Sequence, residues 1–308
     1  MSEFNHVSVL KEELTDGIIT DKNGIYCDMT LGGAGHSKRL LELTDNALLL
    51  GIDRDPVALE VAEARLSCFS GRVKLYHGNF SEIDIAASEN GIEAFDGIMA
   101  DLGVSSPQLD DAKRGFSYMH DAPLDMRMDT TSNFSAYNVV NEYSEAELTR
   151  IIGTYGEERW AKRIAEFIVK NRPVKTTLEL VEIIKAAVPA GAREKGGHPA
   201  KRTFQAIRIE VNGELDAVSE ALGKAVSLLK SGGRIGVITF HSLEDRLVKQ
   251  AFQTMAKGCT CPPSFPVCVC GKKPEIKIIT RKPVLPGDKE IIENKRAKSA
   301  KLRIAEKL

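Results

Sequence analysis

The sequence predicts an α/β protein with a Rossmann-like, mostly parallel sheet and a helical insertion. Short apolar segments of strand length recur through the first hundred residues, and several end on an acidic residue. A glycine-rich turn, Gly32-Gly33-Ala34-Gly35, follows the first of these segments. After Gln108, a stretch of about 85 residues shows helical periodicity without a strand pattern. Together these features favour a ligand-binding sheet interrupted by a helical segment.

The length and composition fit two domains of a globular enzyme. The 308 residues are enough for one domain from residues 1–108 and 200–308 and a helical insertion from residues 109–199. The hydrophobic content of 43% and charged content of 28% are ordinary for a soluble protein. No apolar run approaches the length of a membrane span, and the N-terminus has no signal-peptide pattern. We therefore expect a cytoplasmic enzyme without a membrane partner.

The order of the elements places several strand ends at one edge of the sheet. Predicted strands run over residues 24–28, 47–53, 73–77, 95–101 and 231–240, and a last strand, paired antiparallel with its neighbour, runs over 276–282. Parallel strands place their carboxyl ends together, and open α/β sheets bind ligands there. The residues that follow these strands are therefore the first candidates for a site.

The glycine-rich turn is the first candidate. It lacks the G-x-G-x-x-G spacing of dinucleotide sites and the Gly-Lys-Ser/Thr of a P-loop, and it fits better the D-x-x-x-G-x-G turn of S-adenosylmethionine sites, with Asp28 at the strand end. Alone, such a turn is equally compatible with a plain strand–helix connection. Asp53, about 20 residues further on at the next strand end, is suited to accept ribose hydroxyls. Asp53 and Asp55 as simple helix caps are the alternative, but the combined spacing favours a ligand.

Two further strand ends extend this candidate site. Phe80 follows the third strand and offers an apolar face to an adenine ring. Asp101 ends the fourth strand and is the leading candidate for the chemistry, with a turn or helix-capping aspartate as the alternative.

Charge and cysteine patterns indicate possible partners. Basic residues cluster around Arg193–Arg202 and in the tail Asn294–Leu308, where they would bind phosphates, although on charge alone solvated faces are the better explanation. Cys27 and Cys68 resemble small core residues, whereas Cys259-Thr-Cys261 and Cys268-Val-Cys270 form a hairpin pattern. In a reducing cytosol this pattern favours a metal clip over disulfides, but one-residue gaps are tighter than those of most structural zinc sites. We therefore assign no metal ligand and leave zinc open.

Nine motifs spread from end to end carry a resemblance to a known family. They are Asp28-Met-Thr-Leu-Gly-Gly-Ala-Gly-His36, Gly51-Ile-Asp-Arg-Asp55, Asp101-Leu-Gly-Val-Ser-Ser106, Arg114-Gly-Phe-Ser, Pro123-Leu-Asp-Met-Arg-Met-Asp129, Tyr155-Gly-Glu-Glu-Arg159, His198-Pro-Ala-Lys-Arg-Thr-Phe-Gln-Ala-Ile-Arg208, Phe240-His-Ser-Leu-Glu-Asp-Arg246 and Ser299-Ala-Lys-Leu-Arg303. By these motifs the whole chain resembles the ribosomal RNA small-subunit methyltransferase H family, also called MraW. The motif that begins at Pro123 is highly specific.

The resemblance implies a class I methyltransferase fold whose helical insertion recognises the substrate. It implies S-adenosylmethionine-dependent methylation of N4 of one cytidine in the decoding region of 16S rRNA, within the small ribosomal subunit. The implied cofactor-binding residues are Ala34, Gly35, His36, Asp53, Phe80, Asp101 and Gln108. We take Asp101 also as the candidate catalytic residue.

The sequence contains no Pro-Pro-aromatic motif after Asp101, so a base-stacking partner must come from elsewhere. Phe116, Tyr118 and Phe240 are the candidates, while Arg127 and His241 are expected to have structural roles. Two other function classes remain: an NAD-type oxidoreductase, which the glycine spacing disfavours, and a non-catalytic RNA-binding ribosome-assembly protein. The sequence does not distinguish a monomer from a dimer.

Overall fold

The structure is a computed structural model that describes residues 8–105, 108–109, 111–193, 197–259, 261–262 and 264–308. The chain divides into two compact units, the first formed by the chain up to Gly103 together with Leu215–Leu308, and the second by Val104–Glu214. The second unit is longer than the predicted insertion of residues 109–199. The difference arises because the helix Ala200–Asn212 packs its buried face into the core of that unit.

A seven-stranded sheet forms the centre of the first unit. Its strands are β1 (Ile25–Asp28), β2 (Leu48–Asp53), β3 (Val73–His77), β4 (Phe95–Asp101), β5 (Leu229–Thr239), β6 (Ile276–Ile278) and β7 (Lys301–Lys307). They lie in the order β3-β2-β1-β4-β5-β7-β6. The pairs from β3 to β5 are parallel, and β7 pairs antiparallel with both β5 and β6. The α/β class and the first five predicted strands are confirmed.

The end of the sheet differs from the sequence prediction. The predicted strand at 276–282 is present as the shorter β6, and its antiparallel neighbour is β7, which the sequence analysis did not predict. Part of the basic tail is therefore a strand. Arg303 is buried and donates through Nε to Asp245 Oδ1 at 2.7 Å, while Lys301 Nζ lies 3.0 Å from Asp245 Oδ2. The buried Arg303 is thus placed for an ion pair with Asp245, and phosphate binding by the rest of the tail stays a prediction.

Helices cover both faces of the sheet, because alternate residues of each strand point to opposite sides. One face packs against α1 (Lys11–Ile18), α2 (Gly35–Leu43) and α3 (Pro56–Leu66). The other packs against α4 (Ile83–Glu89), α11 (Glu214–Ser227) and α12 (Ser242–Lys257). In β1, Tyr26 belongs to the first core and Cys27 to the second, so Cys27 is a core residue as predicted. Cys68 is exposed, and its predicted core position is wrong.

The second unit is helical in its described residues. Its helices are α5 (Ala136–Glu142), α6 (Glu145–Thr154), α7 (Ala161–Lys170), α8 (Thr177–Ala187), α9 (Ala190–Arg193) and α10 (Ala200–Asn212). Ser144 forms the predicted capping box with Glu147 at the start of α6. Buried residues from five of these helices form one core, which includes Val139, Ile151, Ile164, Ile184 and Ile207.

A final short helix, α13 (Asp288–Glu293), precedes β7. None of the helices in the described part of the chain combines the length and apolar character that a membrane span requires.

Candidate active site

The glycine-rich turn adopts a conformation that depends on its small residues. Gly32 and Ala34 have φ angles of 49° and 57°, in the left-handed region. Gly35 begins α2, and a Cβ atom on it would lie 1.9 Å from Ser8 Oγ. The turn thus brings backbone into close packing between β1 and α2, at the carboxyl edge of the sheet.

Asp53 ties this turn to the end of β2. The Gly32 N–H donates to Asp53 Oδ2 at 2.7 Å, and the Asp55 N–H donates to Asp53 Oδ1 at 2.8 Å. Burial raises the pKa of Asp53 above its ordinary value, although both bonds favour the ionised form. Each carboxylate oxygen has two lone pairs, so Asp53 keeps acceptor capacity for ligand hydroxyls.

Asp101 is tied to the same turn from the end of β4. Its backbone N–H donates to Thr30 Oγ1 at 2.6 Å, and its Oδ2 lies 3.7 Å from His36 Nδ1. His36 is buried, and its Nε2 lies 2.9 Å from the carbonyl oxygen of Val9. Since a carbonyl only accepts, Nε2 is the donor in that contact, and Nδ1 is the ring nitrogen that faces Asp101.

Asp28 lies beneath the turn and is 2% exposed. It accepts hydrogen bonds from Ser37 Oγ at 2.6 Å and from the Thr30 N–H at 3.1 Å. Burial, with a smaller contribution from the charge of Asp53, raises the pKa of Asp28 to about 6 despite these bonds. Three strand-end carboxylates therefore influence one another through a poorly solvated region.

The Asp101 carboxyl has the features of a group built to meet a ligand. Its Oδ1 is shielded from solvent and has no hydrogen-bond partner among the described residues, although the side chain as a whole is 25% exposed. Burial, followed by the charges of Asp28 and Glu244, raises the pKa of Asp101 well above its ordinary value. A shielded acceptor without a partner is costly unless a ligand satisfies it.

Glu244 is the acidic residue that the sequence analysis missed. It is 1% exposed, and its Oε2 accepts from the Phe240 N–H at 2.8 Å and the His241 N–H at 3.3 Å. His241 Nδ1 in turn accepts from the Glu244 N–H at 3.4 Å, which completes a capping box at the start of α12. His241 Nδ1 thus has a capping contact, and the structural reading of His241 stays a prediction. The signal available in the sequence was the acid three residues after the helix cap.

The remaining predicted positions fall in both units. Phe80 is half-buried at the end of β3 and packs beside the core on the α4 face. Phe240 follows β5, and its ring lies 3.4 Å from the position of a Cβ on Gly103. Gln108 belongs to the second unit, where it is buried and its Oε1 accepts from the Ser105 N–H at 3.1 Å.

Tyr118 and Phe116 also belong to the second unit. Phe116 is part of its core, and Tyr118 stacks on His198 with ring centroids 4.6 Å apart. Arg127 pairs with Asp125, from Nη2 to Oδ2, at 2.7 Å. Its predicted ion-pair role is confirmed.

The basic loop is only partly described, because residues 194–196 lie outside the described residues. Arg202 has a side chain that is 56% exposed, and it lies on the surface of α10. Arg208, further along α10, makes a two-pronged ion pair with Glu214, with both distances 2.8 Å. Arg202 therefore fits a phosphate-binding role better than Arg208 does.

The strand order, the turn after β1 and the acids after β2 and β4 define a class I methyltransferase fold. The sequence matches the MraW methylase family over residues 3–308, and the chain belongs to that family. It is 56% identical to "Ribosomal RNA small subunit methyltransferase H" of Clostridioides difficile, covering 99% of this chain and 100% of the relative. Proteins of the same name from Brevibacillus brevis and a Geobacter species are each 54% identical, covering 99% and 100% of this chain and 98% and 100% of the relatives.

Proposed function

We propose that this protein methylates N4 of a cytidine in the decoding region of 16S rRNA, with S-adenosylmethionine as the methyl donor. The observation that carries the proposal is the shielded Oδ1 of Asp101 beside the glycine-rich turn, for which the described part of the chain supplies no hydrogen-bond partner. Membership of the MraW methylase family supports methyl transfer, and the name of the relatives supports an RNA substrate in the small subunit. The cytidine and its position come from the motif resemblance.

The residues at the edge of the sheet fit S-adenosylmethionine, which supplies a methyl group on a sulfonium when it is bound. Ala34, Gly35 and His36 would adjoin its methionine portion, and Asp53 would accept its ribose hydroxyls. Phe80 would flank the adenine, and Asp101 would complete this group at the edge of the sheet. Gln108 is a cofactor contact by the motif resemblance alone. The acids Asp28, Asp53, Asp101 and Glu244 favour a cationic ligand, because their charges act through a poorly solvated region.

Asp101 has two tasks in the reaction. The lone pair of the cytosine amino group is delocalised into the ring, so the nitrogen is a weak nucleophile until it becomes tetrahedral. Asp101 would accept a hydrogen bond from this amino group and then one of its protons, while bound S-adenosylmethionine would supply the methyl group and leave as a neutral thioether. Alignment of the nitrogen with the methyl group supplies most of the remaining acceleration.

The test is a methyl-transfer assay on small ribosomal subunits that lack this modification. The native chain should produce N4-methylcytidine at one position, detected by mass spectrometry of digested rRNA. Asp101→Asn should reduce the rate by about 10²-fold or more, because amide nitrogen and oxygen cannot accept the proton. Asp45→Asn, an exposed turn substitution, is the matched control and should leave the rate unchanged.

The pH profile adds a readout that a purely structural role would not change. Because Asp101 must be ionised to accept the proton, the rate should rise with pH until the raised pKa of Asp101 is passed. That rising limb should be absent in Asp101→Asn. Near-native rates in Asp101→Asn, with unchanged affinity for S-adenosylmethionine by calorimetry, would show that the catalytic assignment is wrong.

If the native chain binds the subunits and S-adenosylmethionine but transfers no methyl group, the protein is a binding factor. Methylation at another base or position would retain the enzyme class and overturn the substrate assignment.

A further inference from the structure

Four cysteine side chains converge in the segment between α12 and β6. The Sγ atoms of Cys259, Cys261, Cys268 and Cys270 all lie within 4.8 Å of one another. The Sγ–Sγ distances are 3.4 Å for Cys259–Cys268, 3.9 Å for Cys261–Cys268, 3.6 Å for Cys268–Cys270 and 3.8 Å for Cys259–Cys270. This cluster is separate from the acids at the carboxyl edge of the sheet and has no part in the methyl transfer proposed above.

These distances match a metal tetrahedron and exclude disulfides. A disulfide requires sulfur atoms about 2.05 Å apart. In a zinc–thiolate site each sulfur lies about 2.3 Å from the metal, so a regular tetrahedron has sulfur atoms about 3.8 Å apart. In the sequence, the one-residue gap within each cysteine pair argued against zinc. In the structure, the pair Cys259/Cys261 and the pair Cys268/Cys270 approach each other from the two arms of the hairpin, so the short gaps do not keep the four sulfur atoms apart.

The hairpin is held at its base, so the cluster does not depend on a free loop. Gly258 ends α12 with φ 67°, and a Cβ on it would lie 2.4 Å from the backbone nitrogen of Pro274. The Glu275 N–H donates to the carbonyl oxygen of Met255 at 2.9 Å, just before β6 begins. Within the hairpin, the Val269 N–H points to Cys261 Sγ at 3.3 Å. A backbone N–H directed at a ligand sulfur stabilises its thiolate form.

The hairpin has no apolar interior to hold its shape. None of the described residues from Cys259 to Gly271 is buried. Phe265, Val267 and Val269 are 50%, 71% and 72% exposed, so they supply no core. A short segment without a core requires a crosslink or a metal to stay ordered, and the four thiols occupy its centre.

We propose that Cys259, Cys261, Cys268 and Cys270 bind one zinc ion as four thiolates. Four protein ligands leave no open coordination position, so the site is structural and not catalytic. Binding releases the thiol protons to solvent and leaves the oxidation state of zinc and sulfur unchanged. The zinc holds the hairpin between α12 and β6 in one conformation. It thereby also fixes the positions of the exposed apolar residues in the hairpin.

The test uses the full-length chain, purified under reducing conditions and analysed for metals by mass spectrometry. We expect about one zinc per chain. Replacing zinc with Co²⁺ should give the intense visible and near-ultraviolet absorption of a tetrahedral cobalt–thiolate site. Cys268→Ser/Cys270→Ser should lose the bound zinc, while Cys68→Ser, an exposed cysteine outside the cluster, should retain it.

A second measurement covers the case in which the double variant misfolds. Chelation of zinc from the native chain should make the hairpin sensitive to trypsin at the exposed Lys272 and Lys273, and added zinc should restore resistance. Two outcomes would overturn the proposal: native protein that stays metal-free after incubation with Zn²⁺, with the four cluster thiols reactive in addition to the exposed Cys68, or protein that carries iron in place of zinc. Neither measurement involves methyl transfer, so the result does not depend on the proposed function.

Discussion

Acids gather where β1, β2 and β4 end, and burial raises the pKa of each of them, with a neighbouring carboxylate adding to the shift. Asp28 is the most enclosed of them, and its pKa is raised from 3.8 to about 6 by burial, with a smaller contribution from Asp53. Such a shift means that ionised Asp28 opposes folding at neutral pH. In a site that binds a cation, the charge of the bound ligand offsets this loss of folding stability.

We predict that Asp28→Asn stabilises the ligand-free protein at neutral pH. An acid with a raised pKa favours folding fully only below its unfolded pKa, and that contribution is lost as pH rises through the folded pKa. The stability of Asp28→Asn relative to the native chain should therefore grow by about 1.4 kcal/mol between about pH 5 and about pH 7.5. Urea unfolding at the two pH values measures this difference.

The same variant should bind S-adenosylmethionine more weakly, because it removes one negative charge beneath the turn. Asp45→Asn, which is exposed, serves as the control and should show no such change with pH. A stability difference for Asp28→Asn that stays constant across this pH range would contradict the prediction.

Among the secondary-structure elements, those predicted best have strong local signals. Apolar runs ending on acids located β2 and β4, and the Ser144 capping box located the start of α6. The same pattern located Asp53 and Asp101, since a residue that follows a parallel strand must lie at the ligand edge of the sheet. The sequence did not show which residues contact Asp101. Thr30, whose Oγ1 accepts from the Asp101 N–H, lies 71 positions away in the sequence, and no local sequence pattern predicts that hydrogen bond.

Strand β7 was missed because its charged residues resemble a solvated tail. In Lys301-Leu-Arg-Ile-Ala-Glu-Lys307 the charges at 301 and 303 suggest exposure, yet Arg303 is 8% exposed. The compensating acid, Asp245, lies on α12, far away in sequence. Burial alone would raise the pKa of Asp245, but the hydrogen bonds from Arg303 and Lys301 outweigh it and leave the pKa lowered. The ion pair with Asp245 therefore compensates the buried charge of Arg303 in this strand.

We therefore predict that Arg303→Met destabilises the first unit by about 2 kcal/mol, because it removes a charged hydrogen bond and leaves Asp245 with Lys301 alone. Thermal unfolding measures the loss. A double-mutant cycle with Asp245→Asn should show a coupling of at least about 1 kcal/mol between the two residues. Lys298→Met, in the exposed part of the tail, is the control and should change stability little. Additive effects in the cycle would mean that the pair does not hold β7 against α12.

At the scale of the whole chain, the two units differ in how the sequence builds them. The second unit is one continuous segment, Val104–Glu214, with a core drawn from its own helices. The first unit is discontinuous: β4 and β5 pair in parallel although the second unit separates them in sequence. The first unit therefore completes its sheet only after the second unit has been synthesised.

This arrangement predicts unequal behaviour of the fragments. A chain of residues 104–214 should fold alone into a cooperative helical domain, because its buried apolar residues find their partners within the segment. Residues 1–103 should not fold alone, because β4 would lose its partner β5 and the sheet would lose the strands beyond it. Circular dichroism and thermal unfolding of the two fragments test this.

Ile164→Ala in the 104–214 fragment should lower its stability by about 2–5 kcal/mol if Ile164 is packed there as in the whole chain. A disordered 104–214 fragment would show that the second unit needs the rest of the chain in order to fold. A 1–103 fragment that unfolds cooperatively would show that this part of the first unit does not need β5.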